Sequence, residues 1–129
     1  MNILIYCLLF AFLLPYLTKV PVAYAMNKLG GYDNLRPREQ QSQLTGLGAR
    51  ALAAHQNAFE SLILFAPAVV LAISLGNDSS TVITLAATHI ICRVCYSVCY
   101  YANWGILRST MWFIATACSF AIVWQCLPS

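Results

Sequence analysis

The stretch AAHQNAFES, Ala53–Ser61, runs directly into LILFAPAVVLAISL, Leu62–Leu75. His55, Gln56, Asn57 and Glu60 therefore fall just ahead of an apolar run that admits little water. Extended back to Leu44, the pattern predicts a helix of roughly 32 residues, or ~48 Å at 1.5 Å per residue. The hydrocarbon core of a bilayer is only ~30 Å thick. Such a helix crosses the membrane with its first turns standing in the headgroup region, and Pro67 bends its apolar half. Polar side chains at that depth either neutralise one another or bind something.

The rest of the chain agrees with a membrane setting. Of 129 residues, 60% are hydrophobic and only 9% are charged, against about one quarter charged in a soluble domain. So few charges cannot clothe a water-facing surface, and the length allows one membrane domain, residues 1–129. The net charge of +3 is scattered, with no basic block of the kind that binds nucleic acid. All six cysteines, Cys7, Cys92, Cys95, Cys99, Cys118 and Cys126, lie in apolar runs, where a free thiol packs as a small hydrophobe. The C-x2-C-x3-C spacing on Cys92, Cys95 and Cys99 lacks a fourth ligand, so no metal site is expected. His55 and His89 read as helix-to-helix hydrogen-bonding residues.

Four spans are predicted, over about residues 2–26, 44–75, 80–101 and 106–127, giving an all-α antiparallel bundle. Pro15 and Pro21 kink the first. Residues 27–43, with Gly30-Gly31 and Pro37, read as a loop. Gly76-Asn77-Asp78-Ser79 reads as a turn in which Asp78 or Ser79 caps the next helix. Asn103-Trp104-Gly105 makes the last break. The first span imitates a signal peptide ending in Ala23-Tyr24-Ala25, but no Lys or Arg precedes its long apolar run, so it reads as retained. Lys28, Arg36 and Arg38 in the first connection and Arg108 at the third make that end cytoplasmic, with both termini opposite.

At 100° per residue, Arg50, Asn57 and Glu60 fall within about 80° of arc, and Arg93, Tyr96 and Tyr100 within about 60°. Neither polar stripe suits lipid, so the two are expected to face each other. The simplest consequence is a Glu60–Arg93 ion pair between the second and third spans. Arg50, Arg93 and Arg108 nevertheless outnumber the single carboxylate, and guanidinium forks suit carboxylates. An anionic ligand follows, with Tyr96 and Tyr100 offering hydroxyls beside it. Tyr101 reads as part of an interfacial aromatic belt.

The order R-x-x-x-x-H-Q-N-x-x-E (Arg50 to Glu60), R-x-x-Y-x-x-x-Y (Arg93 to Tyr100) and L-R-S (Leu107 to Ser109) resembles the MAPEG family, the membrane-associated proteins in eicosanoid and glutathione metabolism. The likeness is greater to bacterial members, in which a Y-D-N-x-x-P-R loop (Tyr32 to Arg38) leads into an A-H-Q-N-x-F-E helix. It spans nearly the whole chain. The resemblance implies a homotrimer of four-span protomers in a bacterial inner membrane, with glutathione as co-substrate between protomers near the cytoplasmic face. It assigns glutathione binding to Asn57, Glu60, Arg93, Tyr96 and Tyr100, beside the Arg50 of the charge argument. Arg108 and Ser109 would sit at the thiol as the catalytic pair.

The activity so implied is that of a glutathione-dependent transferase or peroxidase acting on apolar electrophiles that enter from the lipid. Two positions depart from the family pattern: Gln56 stands where an arginine often precedes the asparagine, and Trp112 where some members carry a tyrosine. A non-catalytic member binding a lipid or a protein partner is the alternative. A small proton-coupled transporter working through Glu60 is a third, which the surrounding arginines disfavour because they keep Glu60 ionised.

Overall fold

A computed structural model describes residues 1–128, and within them the chain is helical with no strand. Four long helices, α1 (Asn2–Asn27), α3 (Gly46–Ser74), α4 (Ser80–Ala102) and α5 (Gly105–Trp124), are each long and apolar enough to cross a membrane. A short helix, α2 (Pro37–Gln41), lies in the first connection. α1 packs chiefly on α3, and α4 on α5, with α3 also touching both members of the second pair.

The predicted boundaries stand within two residues, except at the end of α5. That helix stops at Trp124, and Cys126–Leu127 turn away ahead of Pro128, whose ring disfavours helical backbone in the residue before it. α3 starts at Gly46, two residues after the predicted start. Thr45 is extended at φ −132° and Gly46 takes φ +54°, a left-handed angle that a side chain would strain. Ser79 caps α4 by accepting from the Val82 amide at 3.4 Å. Asn103 ends α4 at φ +61°, the left-handed conformation that Asn tolerates.

The connection read as a loop is more ordered than its composition suggests. Asp33 Oδ1 accepts from the Leu35 and Arg36 amides at 3.0 and 3.1 Å, and Pro37 opens α2 with its φ already set for a helix. Buried Gln40 then donates to the carbonyls of Met26 at 3.2 Å and Gly31 at 2.7 Å, and accepts from the Asp33 amide at 2.9 Å. One side chain thus pins the connection to the end of α1.

Levels along the bundle can be read from its contacts. α5 has 20 residues between Trp104 and Trp124, which is ~30 Å, the thickness of the hydrocarbon. Exposed Trp104 and Trp124 therefore stand where interfacial aromatics belong. At the Trp104 end, Val22, Met26 and Ala51 form one buried cluster, with half-buried Tyr101 packed on it. Tyr101 thus packs between α4 and the α1–α3 pair at the level of Trp104. The apolar core at the other end gathers Leu4, Phe65, Val69, Val82 and Ile122.

Candidate functional site

Asn57 and Glu60 are one turn apart on α3, and Arg93 crosses to them from α4. The direct Glu60–Arg93 ion pair predicted from the sequence does not form among the described residues. Instead the Arg93 guanidinium donates to Asn57 Oδ1 at 2.7 Å, and Asn57 Nδ2 donates to Glu60 Oε2 at 2.9 Å. The physical reason is that the Asn57 amide offers an acceptor to the guanidinium and a donor to the carboxylate, and so bridges the two. Arg93 is only 2% exposed and its Nε has no partner. Glu60 remains exposed.

Arg93 also begins an aromatic ladder. Its guanidinium lies 4.3 Å over the Tyr96 ring, Tyr96 meets Tyr100 edge to face at 5.5 Å, and the Arg108 guanidinium lies 4.5 Å over Tyr100. Cations over aromatic faces are attracted by the ring quadrupole, by ~2 kcal/mol where water is excluded. Glu60, Asn57, Arg93, Tyr96, Tyr100 and Arg108 are therefore connected side chain to side chain within one protomer. Tyr96 is buried, Tyr100 and Arg108 are half-buried, and Glu60 is the exposed end.

Two hollows flank the ladder. A 160 Å³ cleft between α3 and α5 is lined by Asn57, Glu60, Ser61, Trp112, Thr116 and Ser119 among others. A wider, open groove of 610 Å³ on the first turns of α5 is lined by Arg108, Ser109, Ile106 and Phe113. Ser109 is exposed and belongs to this groove, which Arg108 joins to the ladder.

Arg50 is not brought to this constellation. Its guanidinium donates to the Tyr101 carbonyl at 3.5 Å, and its buried Nε is unpartnered. It shares a helix face with Asn57, but stands seven residues away, ~10 Å along the axis, where its charge meets the carbonyl end of α4.

Beneath the cleft lies a buried group that the sequence reading resolved only in part. His89 is 2% exposed and stacked on Phe65 at 3.8 Å, with the planes 2° apart. Its Nδ1 lies 2.9 Å from the Ala115 carbonyl, which can only accept, so Nδ1 carries the proton and Nε2 is the acceptor. Nε2 faces Ser61 Oγ at 3.5 Å, and Ser119 Oγ lies 3.3 Å from Nδ1. One histidine so ties α3, α4 and α5, as expected of it. His55 does the same between α3 and α1, with Nδ1 donating to the Pro15 carbonyl at 2.8 Å. Ser61, Thr116 and Ser119 were missed, although Ser61 directly follows Glu60. The six cysteines are free thiols.

Four apolar spans with a polar ladder at one end define a small polytopic α-helical membrane protein. The model of the MAPEG family matches residues 3–128 of the 129, and the chain belongs to that family. No curated protein and no solved structure gives a significant match.

Proposed function

We propose that the protein is a glutathione-dependent transferase or peroxidase whose site is the Glu60–Asn57–Arg93–Tyr96–Tyr100–Arg108 ladder, with Ser109 at its open end. The carrying observation is the unbroken link from the exposed Glu60 carboxylate to the half-buried Arg108 guanidinium, with the buried Arg93 guanidinium between them. Glutathione bears two carboxylates and one ammonium. With Arg50 committed to Tyr101, the remaining set is two arginines and one glutamate, which complements those charges. Glu60 receives the ammonium, Arg93 holds Asn57 beside it, and Tyr100 and Arg108 face the rest of the tripeptide.

The chemistry asked of the site is thiolate formation, since the thiolate is the nucleophile. A free thiol near pKa 8.5 is only a few per cent ionised at pH 7. Lowering that value by two units takes ~2.7 kcal/mol of differential interaction. Half-buried Arg108, with the Ser109 hydroxyl beside it, is suited to supply it. The open groove beside them, walled by Ile106 and Phe113, gives an apolar electrophile access from the lipid. A homotrimer would close this side with a neighbouring protomer, in a bacterial inner membrane with the first and third connections cytoplasmic.

One observation favours the alternative of a member that binds without catalysis. Trp112 lines the cleft beside Glu60, and an indole donates a hydrogen bond but cannot ionise or relay a proton. The test is thermal stability of the detergent-purified protein with reduced glutathione. A ligand at 100 times its Kd adds ~2.7 kcal/mol to the native state. A clear upward shift supports the site, and turnover of an aryl halide then separates enzyme from binder. No shift at millimolar glutathione removes the glutathione reading.

A further inference from the structure

A small cavity lies beside Arg93, where α1, α3 and α4 meet. Ala11 and Leu14 of α1, Ser61 and Leu62 of α3, and His89 and Arg93 of α4 line it. Its volume of 10 Å³ matches the ~10–15 Å³ of open space that holds one water. His89 and Arg93 are four residues apart on α4 and so share a face, one above the other. Each is 2% exposed, and each carries a polar atom that the protein leaves unmet. Arg93 Nε is a buried donor with no hydrogen-bond partner among the described residues. His89 Nε2 is an acceptor, because Nδ1 carries the proton to the Ala115 carbonyl. Ser61 Oγ stands 3.5 Å from that acceptor, beyond the usual range of a hydroxyl hydrogen bond.

A bare donor and a poorly used acceptor, one helical turn apart, define their occupant. The guanidinium repels a cation and the Nε2 lone pair repels an anion. An apolar group leaves both nitrogens unpaired at the full cost of their desolvation. What remains is a neutral molecule of one heavy atom that both accepts and donates. Water accepts from Arg93 Nε and donates to His89 Nε2 and to Ser61 Oγ, and three partners are usual for a buried water. Ser61 also lines the 160 Å³ cleft beside Glu60, which gives the molecule a way in.

We infer that one internal water fills this cavity and holds Arg93 by its Nε, which makes His89 and Ser61 positioning residues of the ladder. The guanidinium is then fixed at two edges, by the water at Nε and by Asn57 Oδ1 at 2.7 Å. Asn57 in turn keeps its Nδ2 on Glu60. The water stands on this geometry alone, whereas its bearing on glutathione rests on the function proposed for the ladder.

The experiment is solution NMR of the full chain in neutral detergent with isotope-labelled arginine, read beside glutathione titrations. Arg50 and Arg93 both carry a buried, unpartnered Nε, and Arg50→Lys leaves that of Arg93 to be assigned. Its proton is expected to show a cross-relaxation peak to a long-lived water, and a missing peak overturns the inference. Ser61→Ala leaves the water two partners and should keep the peak. Loss of the peak in that variant would trace it to the hydroxyl, and overturns the inference as well. Two further variants read the role of His89. Gln sets its amide where Nε2 stands and gives up the Ala115 link, while Asn sets its amide at the place of Nδ1 and gives up the acceptor for the water. Both should lower the unfolding midpoint. His89→Gln is expected to hold glutathione affinity near that of the parent protein, and His89→Asn to weaken it roughly tenfold. The reverse order, or equal losses, makes His89 a tie between α4 and α5 and overturns its positioning role. A water peak in a parent protein that gives no response to glutathione supports the water and removes the function proposed for the ladder.

Discussion

Asn57 commits both ends of its amide inside the protein, its oxygen to Arg93 at 2.7 Å and its nitrogen to Glu60 at 2.9 Å. The two neighbours consequently make different demands on it. Asn57→Ala leaves a guanidinium that is 2% exposed, with no protein partner at Nε, without its acceptor on Asn57. Breaking a buried charge from its partner costs about 3 kcal/mol or more, so the midpoint of thermal unfolding should fall sharply and the glutathione response should vanish. Glu60→Gln is a different case, because the carboxylate is exposed and touches Asn57 rather than Arg93. Its expected effect on stability is within about 0.5 kcal/mol, yet it removes the counter-charge for the ammonium and with it glutathione stabilisation. Equal destabilisation by the two substitutions would mean that Glu60 pairs with Arg93 after all. The sequence placed both residues on one face, since arc is set by residue spacing. Which atoms meet depends on relative height between helices, which spacing within one helix cannot supply.

That distinction between arc and height recurs for whole elements. The four spans were legible because an apolar run of membrane length has few other readings, and two of their ends were marked by Ser79 and Asn103. α2 was not legible. Five residues cannot sustain a helix alone, and this one is held by Gln40 reaching back to Met26 and Gly31. Arg50 was grouped with Asn57 by arc, although seven residues of rise carry it to Tyr101. Ser61 and Ser119 left no mark because a lone hydroxyl in an apolar helix does not disturb its pattern, while His89, which they flank, did. Helix packing supplies its own prediction at Gly48. A methyl there meets Ala25 Cβ at 3.0 Å and Leu44 Cδ2 at 3.2 Å, so Gly48→Ala forces α1 and α3 apart. Overpacking costs about 1–3 kcal/mol, against ~1 kcal/mol regained in helix propensity. A net loss is expected in thermal unfolding. Gly105→Ala is the control, since nothing lies within 4 Å of its added carbon and no such loss should appear. A loss of the same size in both variants would show that the α1–α3 crossing is not tight.

For the molecule as a whole, the decisive matter is which chain supplies which part of the site. Glu60, Asn57, Arg93, Tyr96, Tyr100 and Arg108 are linked within one protomer. A neighbour in the proposed trimer would therefore add a wall to the open α5 groove without adding a member to the ladder. Co-expression of two differently tagged variants, Glu60→Gln and Arg108→Ala, tests this after purification through both tags. If a site drew Glu60 from one chain and Arg108 from the next, mixed assemblies would contain some sites with both residues intact, and glutathione conjugation would return in part. Because the ladder runs within a chain, every site in a mixed assembly lacks one of the two. Activity should stay at the level of the single variants, while mixing wild type with either variant gives activity in proportion to the wild-type share. Recovery in the doubly variant assembly would move Arg108 to a different site from Glu60, and would require the two hollows beside the ladder to be joined across the protomer boundary.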